Sequence, residues 1–182
     1  MKKSVILGEQ GISEIVRKLA EKILSNNPVM KDTVLVGIRT GGAHLAARLQ
    51  KAIGGLIQAE PPLGLLDITL YRDDWTRIGP TPVVRKTELP FSVDGRNVVL
   101  VDDVLFTGRT IRAAMDALMD YGRPKRIELA VLVDRGNGAR ELPIMANYVG
   151  GVWNIEPNQT VNVYLSESGY IDHVAIEEKR TA

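Results

Sequence analysis

The chain has 182 residues, 45% of them hydrophobic, enough for a single domain with a substantial core. Its 23 basic and 22 acidic residues leave a formal net charge of +1, so no global field draws it to nucleic acid or an anionic membrane, and any basic site must be local. The lack of cysteine excludes disulfides and thiolate metal sites, and two widely separated histidines argue against a zinc cage, so a bound metal is expected on oxygen. The opening "MKKSVILGEQ" has only a short apolar run, broken at Gly8, and no later stretch approaches membrane-spanning length. A soluble, cytoplasmic protein with no membrane attachment is expected.

Residues 9 to 25 put Ile12, Ile15, Val16, Leu19 and Ile23 on one helical face, with Glu14, Lys18, Glu21 and Lys22 pointing elsewhere. Asn26, Asn27 and Pro28 end that helix. "TVLVGI" is a short, β-branched apolar run of the kind that fills a sheet covered on both faces. "RTGG" at 39 to 42 reads as a glycine-rich turn, and "AHLAARLQKA" as a helix interrupted by Gly54 and Gly55. "DITLY" at 67 to 71 predicts a strand, and "RDDWTRIGPTPVVRKTELP" a long mobile loop or hairpin.

"NVVLV" predicts a second buried strand, and "TIRAAMDALMDYG" a helix with Ile111, Ala114, Met115 and Leu118 at helical spacing and Gly122 at C′. "IELAVLV" supplies a third core strand ending at Asp134. Beyond 137 the pattern is irregular, with "VNVYL" and "HVAIEE" as short edge strands. Alternating strands and helices predict an α/β fold with a central, mostly parallel sheet, whose ligands bind beyond the carboxyl ends of the strands. Trp75, Trp153, His44 and His173 read as structural or exposed residues.

The chemistry concentrates in "VVLVDDVLFTGRT", residues 98 to 110. Asp102 and Asp103 stand at the end of an oily strand, and "VLFTGRT" leads into the next helix. A turn with Gly108 for close approach, hydroxyls from Thr107 and Thr110, and a helix N-terminus behind it suits a phosphate. Two aspartates would repel that anion unless they face another part of the same ligand, where hydroxyls donate to them or a divalent cation bridges. A sugar phosphate meets both demands. Helix capping is the simpler role for the acids. A nucleoside-triphosphate P-loop does not fit, because G-x-x-x-x-G-K-[ST] is absent and Gly108 is followed by Arg109 rather than lysine.

This stretch closely resembles the phosphoribosyl-diphosphate signature of type I phosphoribosyltransferases. Together with "VILGEQGI", "DITLYRDD", "DALMDYGRPKRIELAVLVDRG" and "RELPI", it resembles the PyrR family over roughly residues 4 to 178. That family combines uracil phosphoribosyltransferase activity with UMP- or UTP-dependent binding to pyrimidine-operon leader mRNA. The resemblance implies one phosphoribosyltransferase domain over residues 1 to 182, with the type I fold, a small irregular hood, a mobile loop and a homodimeric or homotetrameric assembly.

It also implies that Asp102 and Asp103 hold the ribose hydroxyls, and that Val104, Leu105, Phe106, Thr107, Gly108, Arg109 and Thr110 surround the 5-phosphate. Arg39, Thr40, Gly41 and Gly42 would form the diphosphate loop, where the family commonly has a cis peptide, with Arg72 and Arg85 closing over the leaving group. Mg²⁺ would arrive on the substrate diphosphate, with no dedicated protein cage. The base would meet the backbone of Val133 and Asp134 and the side chain of Arg135. Val161 matches a family position near the base pocket, although its side chain suits the core.

The regulatory half transfers less completely. The family's "DRGHRELPIRADYVGK" is here "DRGNGARELPIMANYVGG", with two extra residues, no histidine, Met145 for an arginine and Gly151 for a lysine. Arg17 and Glu21 stand where the family more often has threonine and histidine, and an acid there opposes RNA phosphate. Arg17 and Arg140 remain as candidate RNA contacts. An enzyme that has lost RNA binding and a purine phosphoribosyltransferase are the alternative functions.

Overall fold

A computed structural model describes residues 3–74 and 84–179. Trp75 and the middle of the 72–90 connection lie outside the described residues. Five parallel strands form the central sheet in the order β3 (Leu63–Leu66), β2 (Thr33–Ile38), β4 (Asn97–Leu105), β5 (Arg126–Asp134), β6 (Tyr148–Val152). Strand alternation sends Leu35, Val99, Val101 and Ala130 to one face and Val34, Val36, Val98, Leu100 and Val131 to the other, and both faces are covered.

The first face packs on α1 (Glu9–Asn26), through Ile12, Val16, Leu19 and Ile23, and on α2 (Gly41–Ile57), through Leu45, Leu49 and Ile53. The second packs on α3 (Arg109–Met119), through Ile111, Ala114 and Leu118. No helix among the described residues is long and apolar enough to cross a membrane.

Four local expectations are revised. The α2 helix runs through Gly54 and Gly55 to Ile57, because Ile53 is fully buried and the bare Cα of Gly54 lets the Glu60 side chain lie where a Cβ would sit. The strand expected at 67 to 71 lies one step earlier, at Leu63–Leu66. Asp67 accepts the Thr69 backbone N–H at 2.9 Å and bends the chain into a 3₁₀ turn over Thr69–Tyr71. Gly122 has φ +141° but stands two residues beyond the Asp120 cap, on the C″ side of the expected position.

The hood, fourthly, is regular rather than irregular. It is an antiparallel sheet of β1 (Lys3–Gly8), β8 (His173–Glu178) and β7 (Gln159–Tyr164), in which β8 is central and not an edge. Arg48 of α2 ties this sheet to the main body. Its guanidinium donates to Glu167 at 2.7 and 2.6 Å, to Ser166 at 3.1 Å and to both oxygens of Asp172.

The Arg48 bonds hold the Glu167 and Asp172 carboxyls below their ordinary values of 4.5 and 3.8. A carboxylate with a lowered folded-state value lends stability that is complete above its unfolded value and fades as pH falls through the lowered one. Arg48→Ala is therefore expected to speed amide exchange in the 165–173 turn by about tenfold at neutral pH, a loss of ~1.4 kcal/mol. The same change should flatten the acid-induced loosening of that turn below the unfolded carboxyl values, as read by exchange mass spectrometry across pH 3 to 7.

Candidate active site

The carboxyl ends of β2 and β4 lie side by side, with Gly37 paired to Val101, and the segments leaving them meet above the sheet. A Cβ on Gly42 would stand 2.2 Å from the Val101 carbonyl oxygen, and one on Gly41 would stand 2.1 Å from Asp103 Oδ2. Only glycine allows this approach. The glycine turn and the acidic strand end are thus one unit, and the Arg39–Thr40 peptide before the glycines is cis, as the resemblance implies.

The β4 strand does not stop before the acids but continues through them to Leu105. Asp102 is 6% exposed. Burial, and then the neighbouring Asp103 charge, push its carboxyl well above the usual carboxylate range; burial also raises Asp103. Such a pair favours company that offsets negative charge, such as donating hydroxyls or a cation. A cleft of 740 Å³ spans these acids, the 39–41 turn, the 67–69 segment and Arg72, Arg85 and Thr110. Arg85 donates to the Thr40 hydroxyl at 2.5 Å, which brings it onto the glycine turn.

A second hollow of 230 Å³ shares Arg72, Val104 and Thr110 with the first and is lined by residues 72–74 and 104–111. Gly108 caps α3 at φ +93°, and the Thr107 hydroxyl accepts the Arg109 amide at 3.3 Å. Both arginines here are held by acids. Arg72 donates to Asp74 at 2.8 and 2.7 Å, and Arg109 donates to Asp73 at 2.5 Å and Glu141 at 2.6 Å. The two hollows adjoin at the carboxyl ends of a parallel sheet, the place where folds of this kind bind ligands.

The phosphoribosyl transferase domain family matches residues 4–163. The bifunctional protein PyrR of Syntrophobacter fumaroxidans is 50% identical over 98% of this chain and 95% of its own length, and that of Pelotomaculum thermopropionicum 51% over 97% and 96%. This chain belongs to the PyrR family of phosphoribosyltransferases. A hypoxanthine-guanine phosphoribosyltransferase from Bacillus anthracis superposes with a TM-score of 0.69 over 96% of this chain and 98% of that one. A hypoxanthine phosphoribosyltransferase from Staphylococcus aureus gives 0.65 over 87% and 80%. At 18% and 24% identity these two attest the fold alone.

With PyrR as the frame, the remaining expectations sort by position. Asp134 and Arg135 leave the end of β5 beside the phosphate turn. Val133 does not offer a free backbone edge, because it is fully buried and held in register between Val104 and Gly151. Arg135 is buried, its guanidinium 3.8 Å from the Phe106 ring centroid and its Nη2 donating to the Gln159 carbonyl at 3.2 Å. The Val161 side chain lies in the core. Its backbone, however, shares the orientation of Gln159 on the β7 edge turned away from β8, because the Asn158 carbonyl faces β8 and accepts Lys179 N–H at 2.8 Å.

The two expected RNA contacts are both engaged. Arg17 pairs with Glu21 on the exposed face of α1, and Arg140 turns inward to Asp134 and the Phe106 carbonyl. Sequence reasoning missed Asp73 and Glu141 as partners of Arg109, since the 36- and 32-residue separations leave no local signal.

The burial of Asp102 has a measurable consequence. A carboxyl whose folded value is raised binds its proton more tightly in the folded chain, so stability falls as pH rises from 3.8 through the folded value. Asp102→Asn is expected to raise the Tm of the ligand-free protein at pH 7, each kcal/mol appearing as about 2–4 °C in a chain of this size. An unchanged or lower Tm by calorimetry would contradict the role given to desolvation.

Proposed function

We propose that the chain transfers the ribose 5-phosphate group of phosphoribosyl diphosphate to uracil, giving UMP and diphosphate, and that UMP or UTP in the same site governs binding to pyrimidine-operon leader RNA. The observation that carries the enzyme reading is the convergence, in two adjoining hollows, of a buried and a half-buried carboxylate, a glycine turn packed against them and a phosphate-type turn opening a helix. Family membership carries the uracil and RNA readings.

In this reading the ribose hydroxyls donate to Asp102 and Asp103, which offsets the charge that burial disfavours. Backbone N–H groups at the start of α3 and the Thr107 and Thr110 hydroxyls receive the 5-phosphate. The turn from Arg39 to Gly42 receives the diphosphate, with Arg85 beside it and Arg72 available once it exchanges Asp74 for phosphate.

The bond from ribose C1 to the diphosphate oxygen breaks as the bond from C1 to uracil N1 forms, and the uracil N1 proton is lost. Charge builds on the ribose ring as an oxocarbenium-like centre, so the protein contributes positioning and electrostatics, and no nucleophilic side chain is needed. Asp134, Arg135 and the free β7 edge at Val161 surround the base.

The described residues contain no group of three or more histidine or carboxylate side chains for a resident metal. Asp102 and Asp103 offer hard oxygen donors that fit Mg²⁺ arriving on the diphosphate, where it neutralises leaving-group charge. A homodimer or homotetramer follows from the family resemblance.

Two measurements test the reading. Wild-type protein with phosphoribosyl diphosphate and Mg²⁺ should release diphosphate with uracil and not with hypoxanthine, and Asp102→Asn/Asp103→Asn should lower that rate by at least about 10³-fold while remaining folded. Hypoxanthine-dependent release in place of uracil would reverse the choice of base. In a mobility-shift assay with the organism's own pyrimidine leader, UMP should tighten RNA binding, and no shift at micromolar protein would leave the enzyme alone standing.

A further inference from the structure

Asp67 lines the cleft beside the glycine turn, where an acid by itself repels a diphosphate. Both of its oxygens are taken up by backbone. Oδ1 accepts the Thr69 amide at 2.9 Å and bends the outgoing chain into its 3₁₀ turn, while Oδ2 accepts the Arg85 amide at 3.0 Å, from 18 residues further along. The turn alone needs one side-chain oxygen. The second oxygen joins the two stems of the 72–90 connection.

The returning stem is laid on the sheet edge by the same residue. Leu65 and Glu88 exchange backbone bonds at 2.8 Å in an antiparallel bridge, and the Asp67 amide donates to the Thr87 hydroxyl at 3.1 Å. Arg39 fastens the glycine turn to the same place, its amide donating to the Leu66 carbonyl at 3.0 Å and its Nη2 to Glu88 Oε1 at 3.3 Å. From this frame the Arg85 guanidinium reaches the Thr40 hydroxyl. Arg85 is exposed, and an exposed arginine samples many rotamers, so it returns to one acceptor only if its backbone is held.

We infer that Asp67 is the positioning residue for Arg85, using its two carboxylate oxygens to join both stems and set the Arg85 guanidinium against the 39–42 turn. The inference rests on the place given to Arg85 above, beside the diphosphate. A cation fixed there before the substrate arrives spares the entropy of ordering it at each turnover. Asparagine fits the 3₁₀ turn equally well but offers one accepting oxygen in place of two.

The test pairs steady-state kinetics with amide exchange. In Asp67→Ala, kcat/KM for phosphoribosyl diphosphate should fall about tenfold or more, while the uracil KM at saturating donor stays within about twofold, and Asp67→Asn should recover part of the loss. Peptides covering 67–71 and 84–88 should both exchange faster. Action through Arg85 requires that Asp67→Ala/Arg85→Ala lie within about twofold of Arg85→Ala, whereas a merely structural role would add its full factor in either background. Should Asp67→Ala fail to fold, Thr87→Val, which removes only the acceptor of the Asp67 amide, should give a smaller fall in the same constant and the same loss of additivity.

An active enzyme whose donor kcat/KM is unmoved in Asp67→Ala, or in Thr87→Val where that variant replaces it, overturns the inference alone. A fall that persists in full in the Arg85→Ala background, with a raised Mg²⁺ requirement, overturns it in favour of a direct contact between Asp67 and the cation on the leaving group. A wild-type protein that releases no diphosphate with any base overturns the reading of the reaction itself, and the inference with it.

Discussion

The contact on which the site depends is the one between two glycines and a strand end. Gly41 and Gly42 let the start of α2 descend onto the Val101 carbonyl and the Asp103 carboxylate, at distances no Cβ could share. That descent sets the helix beside β4, orders the 39–42 turn and closes one wall of the cleft. Because β4 lies between β2 and β5 with helices on both faces, the acids it carries are held on the central strand of the five-stranded sheet. The turn that opens α3 follows directly from the same strand, so the acids and that turn are fixed by one stretch of chain.

Much of this was legible in the sequence where physics is local. Continuous β-branched runs announced β2, β4 and β5, periodic apolar residues announced α1 and α3, and "VVLVDDVLFTGRT" announced the acidic strand end and the turn into α3 that line the two hollows. What escaped was set by long-range pairing. The β1 strand pairs with β8 from the far end of the chain, and β6 is a glycine-bearing run that becomes a strand only by docking on β5. Arg140 escaped for the same reason, because its inward turn depends on a carboxylate at the end of β5 and a carbonyl at the end of β4.

The near-neutral net charge takes on meaning at the site. Arg72, Arg109 and Arg140 each rest on carboxylates of the chain, while Arg85 donates to the Thr40 hydroxyl. The Arg72 and Arg109 pairs are substantially exposed, and exposed ion pairs contribute only about 0–1 kcal/mol each. Exchanging such a carboxylate for a phosphate dianion therefore costs little, while Arg presents a fork suited to phosphate. The Arg140–Asp134 pair is the enclosed exception.

The acid pair completes this logic from the opposite side. Two adjacent carboxylates at the end of a buried strand are unfavourable to the fold, since each is desolvated and Asp103 raises Asp102 further. A sequence under selection for stability alone would place an amide or an apolar residue there. A ligand that brings donating hydroxyls or a cation would offset this cost, as the proposed ribose contacts would. The fold carries the cost of the two acids in stability, as expected where local rules are broken at a functional site.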